Sequence, residues 1–162
     1  MHTNGVYLFL GAFMATEIKN ETAELLCQMY KNVKTGSDSI VNLMPKVKDE
    51  PLRTEMTREL SRLEGFSSEI GKMLRAEGKR PREEGIVSKL SLKMEMNMNT
   101  MMDSTGGHIA EMMMEGYASG IADMTREIRE RENTKVSEAS LRLAREIVRF
   151  QEDSIGKMQR FL

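Results

Sequence analysis

Methionines are the residues in this chain with the clearest potential for chemistry. Eight of its sixteen methionines lie in two stretches, KMEMNMNTMM (Lys93–Met102) and MMM (Met112–Met114). Convergent thioethers bind soft ions such as Cu(I), usually with help from Cys or His. Methionine also fills irregular gaps in helical cores. We interpret this Met94–Met114 cluster as packing, with a soft-metal site or a methionine-rich surface for a protein partner as alternatives.

Other residues suited to chemistry are sparse. Cys27 is the only cysteine, so an internal disulfide is impossible, and its helical surroundings predict a small buried side chain. His108 follows a Gly-Gly pair at a predicted helix start, where we expect an exposed first-turn histidine. The only other histidine is His2. Because no Ser-His-Asp, Cys-His or paired-His spacing is present, we predict a non-enzyme with no cofactor and no metal ligands.

Composition favours an all-helical protein. Charged residues make up 30% of the chain with a net charge of −1, Trp is absent and only three prolines interrupt the sequence. Charged runs mix both signs, so we expect no nucleic-acid partner. The apolar run VYLFLGAF (Val6–Phe13) is too short to span a membrane and lacks the preceding basic segment of a secretion signal. These features predict a soluble, cytoplasmic protein without membrane attachment.

Apolar periodicity predicts five helices in one domain, residues 15–162. They are Glu17–Val47, Glu50–Glu77, Arg82–Met102, Gly107–Glu132 and a helix from Ser137 to the C-terminus. Asp49 and Ser137 are the predicted N-caps, and Gly78 is the predicted stop of the second helix. We interpret residues 1–14 as an N-terminal extension, either loosely attached or the product of an upstream start. The seam predicted for the last helix is Leu141, Ala144, Val148, Gln151, Ile155, Met158 and Leu162.

The connection lengths predict how these helices pack. Short links after the first and fourth helices predict two antiparallel hairpins. The third helix, about 30 Å long, would cross from one hairpin to the other. Two hairpins joined by one long crossover form the ferritin-like four-helix bundle, here with the crossover as a fifth helix. The alternative is a plain up-down bundle with one helix added.

Three polar residues interrupt the apolar stripes at one predicted level of the bundle: Ser37, Glu59 and Gln151. A dinuclear metal site at such a level uses Glu-x-x-His on two helices, and this sequence contains no Glu-x-x-His. We interpret this level as a metal site that has lost its histidine ligands, in which hydrogen bonds or Arg62 satisfy a buried Glu59. The alternative is that Glu59 faces solvent while neighbouring leucines fill the core.

Two glycines, Gly116 and Gly120, lie four residues apart on the apolar side of the fourth helix. Each costs about 1 kcal/mol relative to Ala in a helix, so a structural reason is expected. Close approach of a neighbouring helix is the simplest reason. A pocket for a ligand is the alternative.

Three segments carry a family resemblance: ELLCQMYKNVKTGSDSIVNLMPKVKDEPLRTEM (Glu24–Met56), HIAEMMMEGYASGIADMTREI (His108–Ile128) and LAREIVRFQEDSIGKMQRFL (Leu143–Leu162). In the order of its helices and in its pattern of residue types, the chain resembles small, uncharacterised ferritin-like four-helix-bundle proteins of bacteria. That resemblance implies iron binding, oxidation or storage, but the histidine ligands are absent here. We therefore expect a non-catalytic bundle that self-associates, as a homo-oligomer, or binds a protein partner. The first alternative is a metal-binding protein that uses the Glu59/Gln151 level or the methionines of Met94–Met114, and the second is a degenerate oxidase-like enzyme.

Overall fold

The computed structural model describes residues 3–81 and 105–162, and the regular elements of this part of the chain are all helices, with no strand. We number its α-helices α1 (Thr3–Leu43), α2 (Glu50–Ala76), α3 (Gly106–Arg131) and α4 (Glu138–Met158). Two 3-10 turns, Met44–Lys46 and Gln159–Phe161, extend α1 and α4. The all-helical prediction is confirmed. The predicted crossover helix Arg82–Met102, with its five methionines, lies outside the described residues.

Local signals set the ends of these helices. Asp49 caps α2 by accepting a hydrogen bond from the Leu52 N–H at 2.8 Å. Gly78 ends α2 with a left-handed φ of +73°, a conformation that a side chain would strain. Ser137 caps α4 by accepting a hydrogen bond from the Ser140 N–H. All three boundary residues are the ones that the sequence predicts.

The relative directions of the helices follow from contacts at their ends. A Cβ on Gly106 would lie 3.6 Å from the Asp49 side chain, so α2 and α3 begin at the same end. At the opposite end, the Ser137 N–H donates to Thr22 Oγ1 at 2.9 Å, so α4 begins beside α1. Both α1–α2 and α3–α4 are therefore antiparallel pairs. The described chain leaves this assembly at Pro81 and returns at Thr105, at the other end.

A single core joins the four helices. Helix α1 packs against α2 and α3, and α4 packs against α3. Phe66 of α2 meets Phe150 of α4 edge to face, with ring centroids 5.6 Å apart. Met112 and Met113 are buried in this core, as the packing interpretation predicts. Its fully buried large side chains include Leu25, Leu26, Met29, Ile40, Leu43, Leu52, Met56, Leu63, Phe66, Ile70, Leu74 and Ile109.

Two predictions about the core are wrong. Cys27 is exposed, because the α1 face formed by Leu26, Met29 and Val33 turns the intervening position outward. Leu162 is 64% exposed, because α4 ends in a 3-10 turn before reaching it.

Helix α1 also begins earlier than predicted and carries exposed apolar side chains. It starts at Thr3 rather than Glu17, because the N-terminal extension is helical and continuous with the bundle helix. Large side chains in residues 7–14, which we call the apolar segment, are 42–79% exposed; they are Tyr7, Leu8, Phe9, Leu10, Phe13 and Met14. None of the described helices carries an apolar stretch long enough to cross a membrane.

Candidate functional site

A buried carboxyl group lies at the level where the sequence places polar residues. Glu59 of α2 is 1% exposed, between the buried side chains of Met56 and Leu63. The Tyr117 hydroxyl of α3 donates a hydrogen bond to Glu59 Oε2 at 2.5 Å. Ser154 of α4 is also fully buried and acts as a second hydroxyl neighbour of the carboxyl group. Residues of three helices thus enclose the Glu59 carboxyl group, and the alternative interpretation, in which it faces solvent, is wrong.

Burial raises the pKa of Glu59 from its ordinary 4.5 to about 7, because water no longer solvates the carboxylate. The hydroxyls of Tyr117 and Ser154 lower this pKa, the carboxylate of Glu55 raises it, and the ammonium of Lys157 lowers it. Burial is the main cause that raises the pKa of Tyr117, and the charge of Glu59 is the second. The phenol therefore stays protonated and donates its hydrogen bond to Glu59. The interior of the bundle therefore holds a carboxyl group that changes charge near neutral pH.

Arg62 does not neutralise this carboxyl group. Its guanidinium pairs with Glu146 of α4 and lies 3.9 Å from the centre of the Phe66 ring. The hydrogen-bond explanation for the burial of Glu59 therefore holds, with Tyr117 as donor.

The nearest second carboxylate has partners of its own. Glu55 is buried one turn before Glu59 on α2. It pairs with Lys157 Nζ at 3.3 Å and with Arg58 Nη1 at 3.3 Å. Its charge is therefore compensated at the protein surface, whereas Glu59 lies deeper and depends on neutral hydroxyl groups.

A second polar group lies beside α1 on the other side of the core. Gln151 of α4 is 3% exposed, and its Nε2 donates to Asn32 Oδ1 at 2.7 Å. Asn32 Nδ2 in turn donates to the Gly120 carbonyl at 2.9 Å. A Cβ on Gly120 would lie only 2.7 Å from Gln151 Nε2. The Gln151 side chain therefore occupies the space that a side chain at position 120 would need, while close approach of a neighbouring helix stays a prediction.

These residues border an open space between two helices, which we call the α1–α3 cleft. Its volume is about 530 Å³, within the usual range of small-molecule sites. Asn32, Gly116, Gly120 and Gln151 line it, with Tyr117 at the boundary to the Glu59 group. The pocket predicted as the alternative role of Gly116 and Gly120 is therefore present.

The three predicted polar residues are all buried, but they do not form one contact set. Glu59 joins Tyr117, and Gln151 joins Asn32. The Ser37 hydroxyl donates to the Val33 carbonyl of its own helix at 3.0 Å. Tyr117 and Asn32 were missed by the sequence reasoning. Tyr117 could have been found, because it continues the spacing of the α3 core stripe between Met113, Gly120 and Met124.

Within residues 3–81 and 105–162, no three His, Cys, Asp or Glu side chains are grouped so that they could hold a metal ion. His108 lies in the first turn of α3, with Nδ1 3.6 Å from the Glu111 carboxylate and about a third of its side chain exposed. It takes no part in the Glu59 group or the α1–α3 cleft.

Tyr117→Phe tests the hydrogen bond to Glu59. We expect a loss of about 1–3 kcal/mol in the free energy of unfolding, because the carboxyl group keeps its burial but loses its donor. We also expect the pKa of Glu59 to rise further, since this hydrogen bond lowers it. Urea unfolding of both proteins measures the first effect. Ser61→Ala removes a hydroxyl at an exposed position of α2, and an equal loss there would contradict the assignment.

Comparison of the chain with protein-family models, curated proteins and solved structures gave no match.

Proposed function

We propose that this chain is a non-catalytic helical bundle with the ferritin-like arrangement, and that it works by association between copies of itself. The single observation that carries the proposal is the apolar segment, residues 7–14, whose large side chains are exposed on a continuous helix. A cytoplasmic location is part of the proposal. The exposed, unpaired Cys27 is compatible with a reducing compartment.

The ferritin-like arrangement draws support from the helix directions. Helices α2 and α3 begin at one end, and the described chain leaves the bundle at Pro81 and returns at Thr105 at the opposite end. An up-down bundle would need only a short link between them. Glu59 is the carboxylate that a metal site at this level of the bundle would use as a ligand, and it already accepts the hydrogen bond from Tyr117.

The apolar segment precedes, along α1, the ion pairs that join this helix to the end of α3. Arg131, near the end of α3, pairs with Glu21 and Glu24 of α1. Helix α1 continues before Glu21 for 18 residues, from Thr3, which is about 27 Å at 1.5 Å per residue. No Asp, Glu, Lys or Arg precedes Glu17, so two copies of this segment would meet without charge repulsion.

The exposed apolar area of this segment is large enough to form an interface with a second copy of the chain. The three aromatic side chains offer roughly 150–250 Å² each and are 62–76% exposed. Together with Leu8, Leu10 and Met14, the segment therefore exposes on the order of 600 Å² per chain. Two copies that bury most of this surface reach on the order of 1,000 Å², the lower bound for a stable interface. A symmetric dimer buries the same surface on both copies, so no free copy of that surface remains to bind a third chain.

The mass of the full chain in solution tests the proposal. Sedimentation equilibrium at micromolar concentrations should give at least twice the chain mass for the wild type. The double variant Phe9→Glu/Phe13→Glu should give the monomer mass, because two charges would be buried in the interface. Ser61→Glu/Ser68→Glu places the same two charges on exposed α2 positions and should leave the mass unchanged.

A monomeric wild type would overturn the proposal, and so would association that survives the Phe9→Glu/Phe13→Glu change. Binding of monomeric wild type to neutral phosphatidylcholine vesicles would also count against it, because the apolar segment would then be a lipid-binding surface.

The metal-binding alternative stays a prediction. Its carboxylate version would use Glu59 and Gln151, which are engaged with Tyr117 and Asn32 respectively. Its thioether version depends on Met94–Met102, outside the described residues. Metal analysis of protein purified without chelators decides between the two classes of function.

A further inference from the structure

We propose that a groove between α3 and α4 binds a small phosphate monoester. Three arginines line this groove, which we call the arginine groove: Arg129 of α3, and Arg145 and Arg149 of α4. Its volume is about 380 Å³. Self-association through the apolar segment does not require this groove, because none of its residues belongs to that segment.

The arginine groove carries an excess of positive charge. Among the described residues that line it, Glu132 is the only acidic one, and its Oε2 lies 3.8 Å from Arg145 Nη2. Arg129 and Arg149 form no ion pair with any residue in the described part of the chain. Three guanidinium groups and one carboxylate therefore leave two positive charges without compensation.

Acidic residues beside the groove do not cancel this excess. Glu146, one turn before Arg149 on α4, is paired with Arg62 of α2. Glu152 and Asp153, one turn after Arg149, are exposed to solvent, and within the described residues neither forms an ion pair with it. Exposed charges that are not in contact are weakened by water and salt. The charge of the groove is therefore set by the residues that line it.

The charged groups of the groove are accessible to a ligand. Arg129 and Arg149 are exposed, and the side chain of Arg145 is 41% exposed. Guanidinium groups that share a groove repel one another, and an anion between them relieves that repulsion. The arginine groove therefore favours an anionic ligand over a neutral or cationic one.

A phosphate monoester matches both the charge and the donors of the groove. Such a group carries a charge of roughly −1.5 to −2 at pH 7, close to the excess of two positive charges. A guanidinium group binds phosphate oxygens through two parallel hydrogen bonds, a geometry that a lysine cannot offer. The Thr125 hydroxyl also lines the groove and can donate one more hydrogen bond.

The organic part of the ligand has apolar surface to contact. Ile128 of α3 and Val148 of α4 line the groove together with the arginines. Val148 is partly buried against the core, and Ile128 is 8% exposed, so the apolar surface is small. It suits a single ring or a short alkyl chain. Nucleic acids bind instead through many phosphate contacts along a longer basic surface.

Phenyl phosphate and phenyl sulfate are matched probes, because they share the ring while the sulfate carries only one negative charge. Titration of the isotopically labelled full chain, followed by NMR, should show saturable shifts of the Arg129 and Arg149 Nε–H signals with phenyl phosphate. Phenyl sulfate should bind at least about tenfold more weakly, because it leaves one positive charge of the groove without a partner.

Arg129→Gln/Arg149→Gln should weaken the binding of phenyl phosphate at least about tenfold, as followed by the backbone amide signal of Thr125. Both side chains are exposed, so the fold should persist. Lys31→Gln/Lys72→Gln is the matched control, because it removes the same charge from exposed positions of α1 and α2. This control should leave the affinity unchanged within about twofold.

Glu132→Gln should have the opposite effect and strengthen the binding of phenyl phosphate. It removes the carboxylate of the groove and releases Arg145 from its ion pair. A gain in affinity cannot result from damage to the fold, so this variant decides the matter if the double arginine variant fails to fold.

Four results would overturn the proposal: no saturable shifts at millimolar phenyl phosphate, equal binding of phenyl sulfate, unchanged affinity in the folded arginine variant, or no gain in Glu132→Gln. Tighter binding of a DNA duplex of about twelve base pairs would also overturn it, because the arginines would then serve a polymer. None of these outcomes depends on the mass measurement that tests self-association.

Discussion

Glu59→Gln is expected to remove a pH dependence worth about 3 kcal/mol from the stability of this protein. The pKa of Glu59 is about 7 in the folded chain against an ordinary 4.5. At 1.36 kcal/mol per pKa unit, that difference corresponds to about 3 kcal/mol. The hydrogen bond to Tyr117 persists in the variant, because Gln also offers a carbonyl oxygen as acceptor.

The direction of the effect follows from proton binding. Because the folded state has the higher pKa, it binds the proton of Glu59 more tightly than the unfolded chain does. The contribution of Glu59 to stability is therefore fully present below about pH 4.5. It falls as the pH rises through about 7, above which the carboxylate is charged in both states. Wild type should accordingly lose stability relative to Glu59→Gln between these two pH values.

Urea unfolding of both proteins at intervals from pH 4 to pH 8 measures this difference. Other titrating groups are common to the two proteins and cancel in the comparison. Glu64→Gln, at an exposed position of the same helix, is the matched control and should leave the wild-type pH profile unchanged. Parallel profiles for wild type and Glu59→Gln would contradict the raised pKa.

The burial of Glu59 could be predicted from the sequence, because it depends on one helix alone. Met56, Glu59 and Leu63 follow the three- and four-residue steps of the α2 stripe, so a buried stripe carries Glu59 inward. The two ends of α2 are likewise determined by nearby residues, since the Asp49 carboxylate and the left-handed backbone of Gly78 act within one turn. Such features need no knowledge of neighbouring helices.

The partners of Glu59 and Gln151 could not be predicted in the same way. The Tyr117 hydroxyl reaches Glu59 from a residue 58 positions away, and Gln151 meets Asn32 across 119 positions. These pairs depend on the rotation and height of each helix, to within a fraction of a turn. The α1–α3 cleft depends in addition on the space that the side chains of α1 and α3 leave unfilled between the two helices.

The errors on α4 have a related physical cause. The predicted seam is only one edge of the face that α4 buries. Ile147 and Ser154, each one position before a seam residue, are buried, while Val148 and Ile155 are only partly buried. The buried face is thus rotated toward these earlier positions, and the rotation of a helix about its axis depends on the helices that it packs against. Ser154 is buried beside Glu59 as a consequence of that rotation.

Phe66→Ala is expected to cost about 3–5 kcal/mol, the usual loss for truncating a fully buried phenylalanine. Phe66 is 0% exposed on α2 and contacts the Phe150 ring of α4. Phe150 in turn meets Tyr117 of α3, with centroids 6.1 Å apart. Removing the first ring therefore leaves a cavity where three helices meet, and it also removes the ring that the Arg62 guanidinium contacts.

Because domains of this size have total stabilities of about 5–15 kcal/mol, that loss is a large fraction of the whole. The midpoint of urea unfolding should fall sharply in Phe66→Ala, while Phe66→Leu, which keeps most of the apolar volume, should lose much less. Since Phe150 connects the cavity to Tyr117, the alanine variant should also weaken the hydrogen bond that holds Glu59. A loss below about 1 kcal/mol would mean that α4 closes over the truncated side chain, and that the three-ring contact does not fix the relative positions of α2, α3 and α4.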